Sequence, residues 1–284
     1  MGAPSITLSP GGGFLLEPTG SVTIFTPEML SDEQRMMRDT ADDFVIREVL
    51  PKVADIEAKK PGVMRGLLEK AGGVGLLGHD VPEQYGGLGG DKTSSSLITE
   101  AASRQGSFAV SFGAHVGIGT MPIVLFGTPA QRDKYLPKLA SGELIAAYAL
   151  TEPGSGSDAL AVKTKAVKSA DGTSWKLTGS KLYITNAGFA DLFTVFAKVD
   201  GEKFTAFLIE RDAPGLTIGP EEHKLGIRGS STCPLFLEDC TIPNDAVLGT
   251  IGQGHKIAFN ILNIGRWKLG VGSVGARSSA WSWA

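Results

Sequence analysis

No lysine or arginine precedes Arg35 in this 284-residue chain. A secretory leader needs a basic start and a mitochondrial presequence is rich in arginine, so the pattern predicts neither, and a cytoplasmic location. Cysteine is almost absent. Cys233 and Cys240 are the two, at a spacing that fits neither a zinc-ligand pair nor a CxxC motif, which predicts two reduced thiols rather than a disulfide framework. No apolar run reaches the roughly 18 residues of a spanning helix, so no integral membrane segment is expected. A strong excess of one charge is lacking too: the net charge of -3 gives no reason to expect nucleic acid or an anionic membrane as partner.

Several catalytic signatures are also missing. His79, His115, His223 and His255 form no HExxH or HxH pair, so no metal site is predicted and each reads as a structural histidine. There is no GxSxG nucleophile elbow. "GGLGGDKT" at 86–93 fails as a P-loop, because Asp91 separates Gly90 from Lys92. "PEEH" at 220–223 reads as a solvated loop.

What is present is a change of period. "SDEQ" at 31–34 is a capping box, and Met37, Ala41, Phe44, Val45 and Val49 follow at helical spacing, with Pro51 as the stop,. Helices are predicted over 62–72, 92–105 and 107–125. Thr128, Pro129 and Gln131 open another that ends near Leu139. From about residue 144 the segments alternate, carry β-branched and aromatic residues, and are separated by Gly- and Asn-containing turns. The fold class is therefore α+β: an all-helical N-terminal domain, then an antiparallel β-sandwich or barrel, then the start of a C-terminal helix. The predicted division is a loosely held Gly- and Pro-rich arm (1–25), a helical domain (26–143), a middle β-domain (144–253) and the start of a truncated helical domain (254–284). On the last helix Ile257, Ala258, Ile261, Leu262 and Gly265 line one face. Ile261, Leu262, Ile264, Trp267 and Leu269 are expected to expose apolar surface there.

"YALTEPGSGSD" at 148–158 has Gly154, Gly156 and Ala159 at GxGxxA spacing. A dinucleotide fingerprint requires a following helix to hold the pyrophosphate, and "LAVKTKAV" reads as strand, so that reading fails. The turn still sets Gly beside Thr151, Ser155 and Ser157, where close backbone approach and several N–H groups suit an anionic or carbonyl-rich ligand. "GSKLYITNAG" at 179–188 repeats the recipe with Tyr183, Thr185 and Asn186, which suits a flat heteroaromatic ring with polar edges. From the residues alone, a ligand cradle and two polar turns of a β-domain both stand.

With "PEQYGGLGG" (82–90), "LTGSKLYITNAGFADLFTVFAK" (177–198), "LGIRGSST" (225–232), "CTIPNDAVLG" (240–249) and "ILNIGRW" (261–267), these stretches, in this order, resemble the acyl-CoA dehydrogenase family from about Thr26 to Ala276, most nearly its long-chain and very-long-chain branch. The resemblance implies FAD as cofactor, with Tyr148, Leu150, Thr151, Gly156, Ser157, Tyr183, Ile184 and Thr185 around the flavin, Thr185 near N5. It also implies Ser157, Asn263 and Arg266 at the acyl-CoA. Oxidation to a trans-2-enoyl-CoA, electrons passed to an electron-transfer flavoprotein, and a homodimer or tetramer follow from the same likeness. The family's general base is a Glu late in a C-terminal bundle or, in a minority, the residue before the Arg equivalent to Arg266. That position is Gly265, so no catalytic residue is assigned. The ending "RSSAWSWA" reads as a truncated product, incomplete for catalysis. The alternatives are a non-catalytic fragment that binds flavin or acyl-CoA, and an acyl-CoA oxidase.

Overall fold

Ser31 opens the first helix as its capping box predicts: the hydroxyl accepts from Gln34 N at 3.1 Å, and Gln34 Oε1 accepts from Ser31 N at 3.0 Å,. The computed structural model describes residues 13–18 and 25–281, apart from the side chains of Phe14 and 278–281. The expected N-terminal arm thus lies mostly outside the described residues, as does Trp283 of the tail. Helix α1 (Asp32–Phe44) buries Met37, Ala41 and Phe44. Pro51 does not stop the helical path. A π-helical turn (Val45–Val49) and a 3-10 turn (Leu50–Lys52) lead into α2 (Val53–Glu57). Pro51 stands in the first turn of the 3-10 segment, where its missing N–H forfeits no bond.

Helices α3 (Val63–Gly73), α4 (Lys92–Ala102), α5 (Gly106–Gly113), α6 (Met121–Phe126) and α7 (Pro129–Ser141) follow. The helix expected over 107–125 is interrupted by a π-helical stretch, Ala114–Gly119. There the backbone presses against the first strand: a Cβ on Gly119 would lie 2.8 Å from Ala146 Cβ. Gly106–Phe126 is long and apolar enough overall to cross a membrane, although no apolar run spans it unbroken, and 67% of its apolar stretch is buried inside the fold. It is a core helix.

The strands β1 (Ala146–Ala149), β2 (Lys165–Lys168), β3 (Ser174–Thr185), β4 (Leu192–Val199), β5 (Lys203–Glu210), β6 (Leu216–Ile218), β7 (Thr232–Pro243) and β8 (Val247–Leu248) form one sheet. Its order is β6-β7-β3-β2-β4-β5-β8, with β1 also on β4. Most pairs are antiparallel, as expected, but β1 and β2 both run parallel to β4. They share one edge of β4 end to end: β1 reaches Val195, and β2 begins again at Lys198. The Gly-rich turn is what the chain does between them. Because side chains alternate along a strand, β4 serves two cores. Phe193, Val195, Ala197 and Val199 join α1, α3, α4 and α5 residues on one side. Leu192 and Phe196 join residues of α6, α7 and the C-terminal helix on the other.

Helix α8 (Gly254–Trp281) closes the described chain. It buries Ile257, Ala258 and Ile261. Of the residues expected to be exposed, Ile261 is in the second core, Leu262 and Ile264 are packed against it, and Leu269 is exposed.

Candidate functional site

The turn after β1 is tied at its own base. Glu152 N donates to Ser155 O at 2.9 Å and Ser155 N donates to Glu152 O at 3.1 Å, leaving Pro153 and Gly154 at the tip. Ser155 Oγ then donates to Asp158 O at 2.7 Å. A side chain at Gly154 or Gly156 would meet no atom within 4 Å, so the turn fronts open space. A single 3-10 turn (Ala159–Ala161) follows, which removes the helix N-terminus a dinucleotide fingerprint would need.

The "YIT" segment lies beside it. Leu182 N donates to Thr151 O at 2.9 Å. In the pairing of β3 with β7, Lys181 faces Leu235 and Ile184 faces Cys233. Three steps on β3 therefore match two on β7, which is a bulge. Tyr183 sits in it at φ +58°, a conformation uncommon for a side chain of this size, and the residue is 62% exposed. Ile184 is buried and Thr185 half-buried. Asn186, also at positive φ, is buried: its Nδ2 donates to Ser111 O at 2.9 Å and its backbone N to Ser231 O at 2.9 Å.

Two residues with no role in the expected site, Glu152 and Lys181, hold these two segments together. Lys181 is wholly buried, and its ammonium donates to Glu152 Oε1 at 2.7 Å, Phe196 O at 2.6 Å and Leu150 O at 3.4 Å. Glu152 also accepts from Lys163 N at 2.6 Å, Thr164 N at 3.2 Å and Thr164 Oγ1 at 2.5 Å. Burial works against its charge, but Lys181, the Lys163 N–H and Thr164 outweigh that and hold the carboxyl below its usual range,. The signal was readable. Lys181 keeps the inward parity of Trp175 and Leu177 on β3, both buried, and a lysine at an inward position demands a partner.

Of the other expected site residues, Tyr148, Leu150 and Ser157 belong to the same strand and turn, and Asn263 and Arg266 stand on α8. The Tyr148 ring packs edge-on against Phe196, centroids 5.2 Å apart, and its hydroxyl donates to Ala258 O of α8 at 3.4 Å; burial raises its pKa. Leu150 is buried and Ser157 exposed. Arg266 Nη1 donates to Asn263 Oδ1 at 2.7 Å on α8. Asn263 also lines a groove of about 1010 Å³ with Leu97, Leu125, Ile264 and Trp267, and no residue of the turn borders it. At Gly265 a Cβ would meet Ile118 Cγ2 at an ordinary 3.5 Å. No metal-binding group occurs among the described residues. Cys233 and Cys240 are free and buried. In the "PEEH" loop Pro220 and His223 are exposed, and Glu221, its side chain 36% exposed, accepts from Ser231 Oγ at 2.6 Å and Thr232 N at 3.0 Å.

Known proteins resemble this chain along most of its length. A family model described as acyl-CoA dehydrogenase, N-terminal domain, matches residues 31–143, and one described as acyl-CoA dehydrogenase, middle domain, matches residues 147–240. The chain is 59% identical over 266 residues to a probable acyl-CoA dehydrogenase of Bacillus subtilis (strain 168), covering 94% of this chain and 45% of that one. It is 45% identical over 212 residues to the mitochondrial very long-chain specific acyl-CoA dehydrogenase of Homo sapiens, covering 71% and 32%. Among solved structures it is similar to an acyl-CoA dehydrogenase of Bacillus anthracis complexed with FAD, at 57% identity and a TM-score of 0.87, covering 89% and 43%. The chain thus spans less than half the length of these relatives.

Proposed function

The chain belongs to the acyl-CoA dehydrogenase family, and from that premise we propose that it holds FAD between the Tyr148–Ser157 turn and Tyr183–Thr185 and acts on acyl-CoA thioesters. What supports the site is one juxtaposition. An exposed aromatic ring, held at positive φ, is hydrogen-bonded through its neighbour Leu182 to a turn whose glycines front open space. That fits a flat ring with polar edges. Bound FAD would supply the hydride acceptor for oxidation of the thioester to a trans-2-enoyl-CoA, with an electron-transfer flavoprotein as the onward acceptor.

The residues divide the work. Tyr183 offers a stacking face. Thr151 and Thr185 offer hydroxyls at the two edges, and the glycines let backbone N–H groups approach a ligand. Asn263 and Arg266 offer a polar pair to the acyl-CoA. Glu152 is not a proton acceptor, since Lys181 and Thr164 already occupy its carboxylate. A second reading, binding of flavin without turnover, is favoured by that commitment of Glu152 and by glycine at position 265.

Titration of the purified chain with FAD tests the proposal. Stoichiometric binding is expected, with Tyr183→Ala weakening it about 2- to 10-fold, the worth of one aromatic contact. Absence of binding by the wild-type chain overturns the site. Bleaching of bound flavin by a long-chain acyl-CoA without oxygen supports dehydrogenation. Binding without bleaching supports the second reading, and hydrogen peroxide release on aeration marks an oxidase.

A further inference from the structure

The edge of β4 has a gap. β1 pairs with it through Val195 and β2 resumes at Lys198, so Phe196 and Ala197 have no strand beside them on that edge. A carbonyl left there without a donor would be a buried unpaired group, which is costly. The chain fills the gap from the side. Lys181 Nζ reaches Phe196 O at 2.6 Å, and Lys198 N donates to Thr164 O at 2.8 Å. The same ammonium holds Leu150 O and Glu152 Oε1, the residues on either side of Thr151. One residue further along β3, Leu182 N holds Thr151 O, and the next residue is Tyr183.

We propose that the buried Glu152–Lys181 pair is the positioning device of the flavin cradle: it locks the Thr151 backbone to the β3 bulge and so fixes the distance between the turn and the Tyr183 ring. This rests on the FAD site proposed above. Neither side chain touches the ligand. Lys181 is wholly buried and the Glu152 side chain is 5% exposed, so both act through the segments they join. The arrangement also accounts for an ion pair in a place where apolar side chains of equal volume are often as stable. Leucine and methionine would fill the space, but they would leave the Phe196 and Leu150 carbonyls without donors and the turn untied from the bulge.

The test uses the full chain and two changes. The Lys181→Met/Glu152→Gln double variant removes both charges together, which avoids the stranded ion of a single deletion. Lys181→Gln/Glu152→Gln, which also removes both charges but keeps amide donors near the carbonyls, is the milder form should the first double variant fail to fold. Circular dichroism and thermal unfolding report whether each is folded. Amide hydrogen exchange at Leu182, measured without FAD, reports whether the turn and bulge stay joined. FAD titration reports the consequence. The expected result is a folded chain whose Leu182 amide exchanges at least about tenfold faster and whose FAD dissociation constant rises about tenfold or more, a loss of roughly 1.4 kcal/mol. Unchanged exchange and unchanged affinity in a folded double variant overturn the positioning role while leaving the flavin site intact. Failure of the wild-type chain to bind FAD overturns the site itself, and the flavin part of the inference with it.

Discussion

His115 shows how much one buried side chain can determine. Its Nδ1 accepts from Ala146 N at 3.0 Å, so Nε2 carries the proton and donates to Leu139 O at 3.0 Å,. Both ring nitrogens are used only when the ring is neutral. A second proton would turn Nδ1 into a donor facing a donor, at the start of the strand that leads into the turn. Burial accordingly pushes the His115 pKa down from 6.5 to about 4. The folded chain therefore binds fewer protons than the unfolded chain between those values, and stability must fall with acidity there. The penalty begins below about pH 6.5 and reaches about 3 kcal/mol near pH 4, at roughly 1.4 kcal/mol per pKa unit. Urea unfolding of wild type and His115→Gln from pH 7 to 4 is expected to show that slope in the wild type and its absence in the variant. Parallel pH profiles would remove His115 as the cause. The spacing of the histidines marks His115 as structural, but it cannot reveal that Leu139 and Ala146, far along the chain, supply the two partners.

At the scale of elements, local signals were readable and distant pairings were not. Both capping boxes form as expected. Thr128 Oγ1 accepts from Gln131 N at 3.2 Å, and Gln131 Oε1 accepts from Thr128 N at 3.0 Å. These depend on residues three apart. The parallel placement of β1 and β2 on β4 was missed, because two short strands interrupted by a turn look in sequence like members of an antiparallel series. Nothing local records which edge they share. The site divides the same way: the turn and "YIT" were each legible as polar, glycine-bearing strand ends, whereas the Glu152–Lys181 pair that joins them spans elements. Gln131 combines both levels, since its Nε2 also donates to Asp245 O at 2.8 Å and Val247 O at 2.9 Å. Thr128→Ala is expected to cost about 1 kcal/mol, the worth of a cap. Gln131→Leu strands two carbonyls as well and is expected to cost about 2–3 kcal/mol. Urea midpoints at constant slope measure both; equal losses would mean that the side chain acts only as a cap.

For the whole molecule, the question is what docks α8, the bearer of Asn263 and Arg266, onto the helical half. Among the described residues of α8, the fully buried large apolar side chains lie in its first turns, Ile257 and Ile261 with Ala258, and Leu262 and Ile264 pack beside them. Farther along, Lys268 Nζ donates to Asp80 Oδ2 at 2.7 Å, with side-chain exposures of 9% and 5%. Asp80 also takes Ser95 Oγ at 2.8 Å and Lys92 Nζ at 3.2 Å, and Lys92 stands 5.7 Å over the Trp267 ring. Burial opposes the charge on Asp80, but His79, Lys268 and Lys92 outweigh it and hold the carboxyl far below its usual range. Beyond Lys268 the helices touch backbone to backbone: a Cβ on Gly275 would fall 2.0 Å from Glu100 O of α4. Among the described residues, a buried ion pair and the absence of a side chain both hold the second half of α8 in place. Removing one partner of a buried pair costs about 3–5 kcal/mol, and here the loss should be local, because the first half keeps its own apolar contacts. Lys268→Met is expected to open 265–281 to limited proteolysis while the helical and sheet cores stay protected, and Gly275→Ala is expected to do the same by steric exclusion. Lys268→Met/Asp80→Asn, which leaves no stranded charge, should recover much of the protection. A Lys268→Met chain cut no faster than wild type would show that the helix is held by its first turns alone.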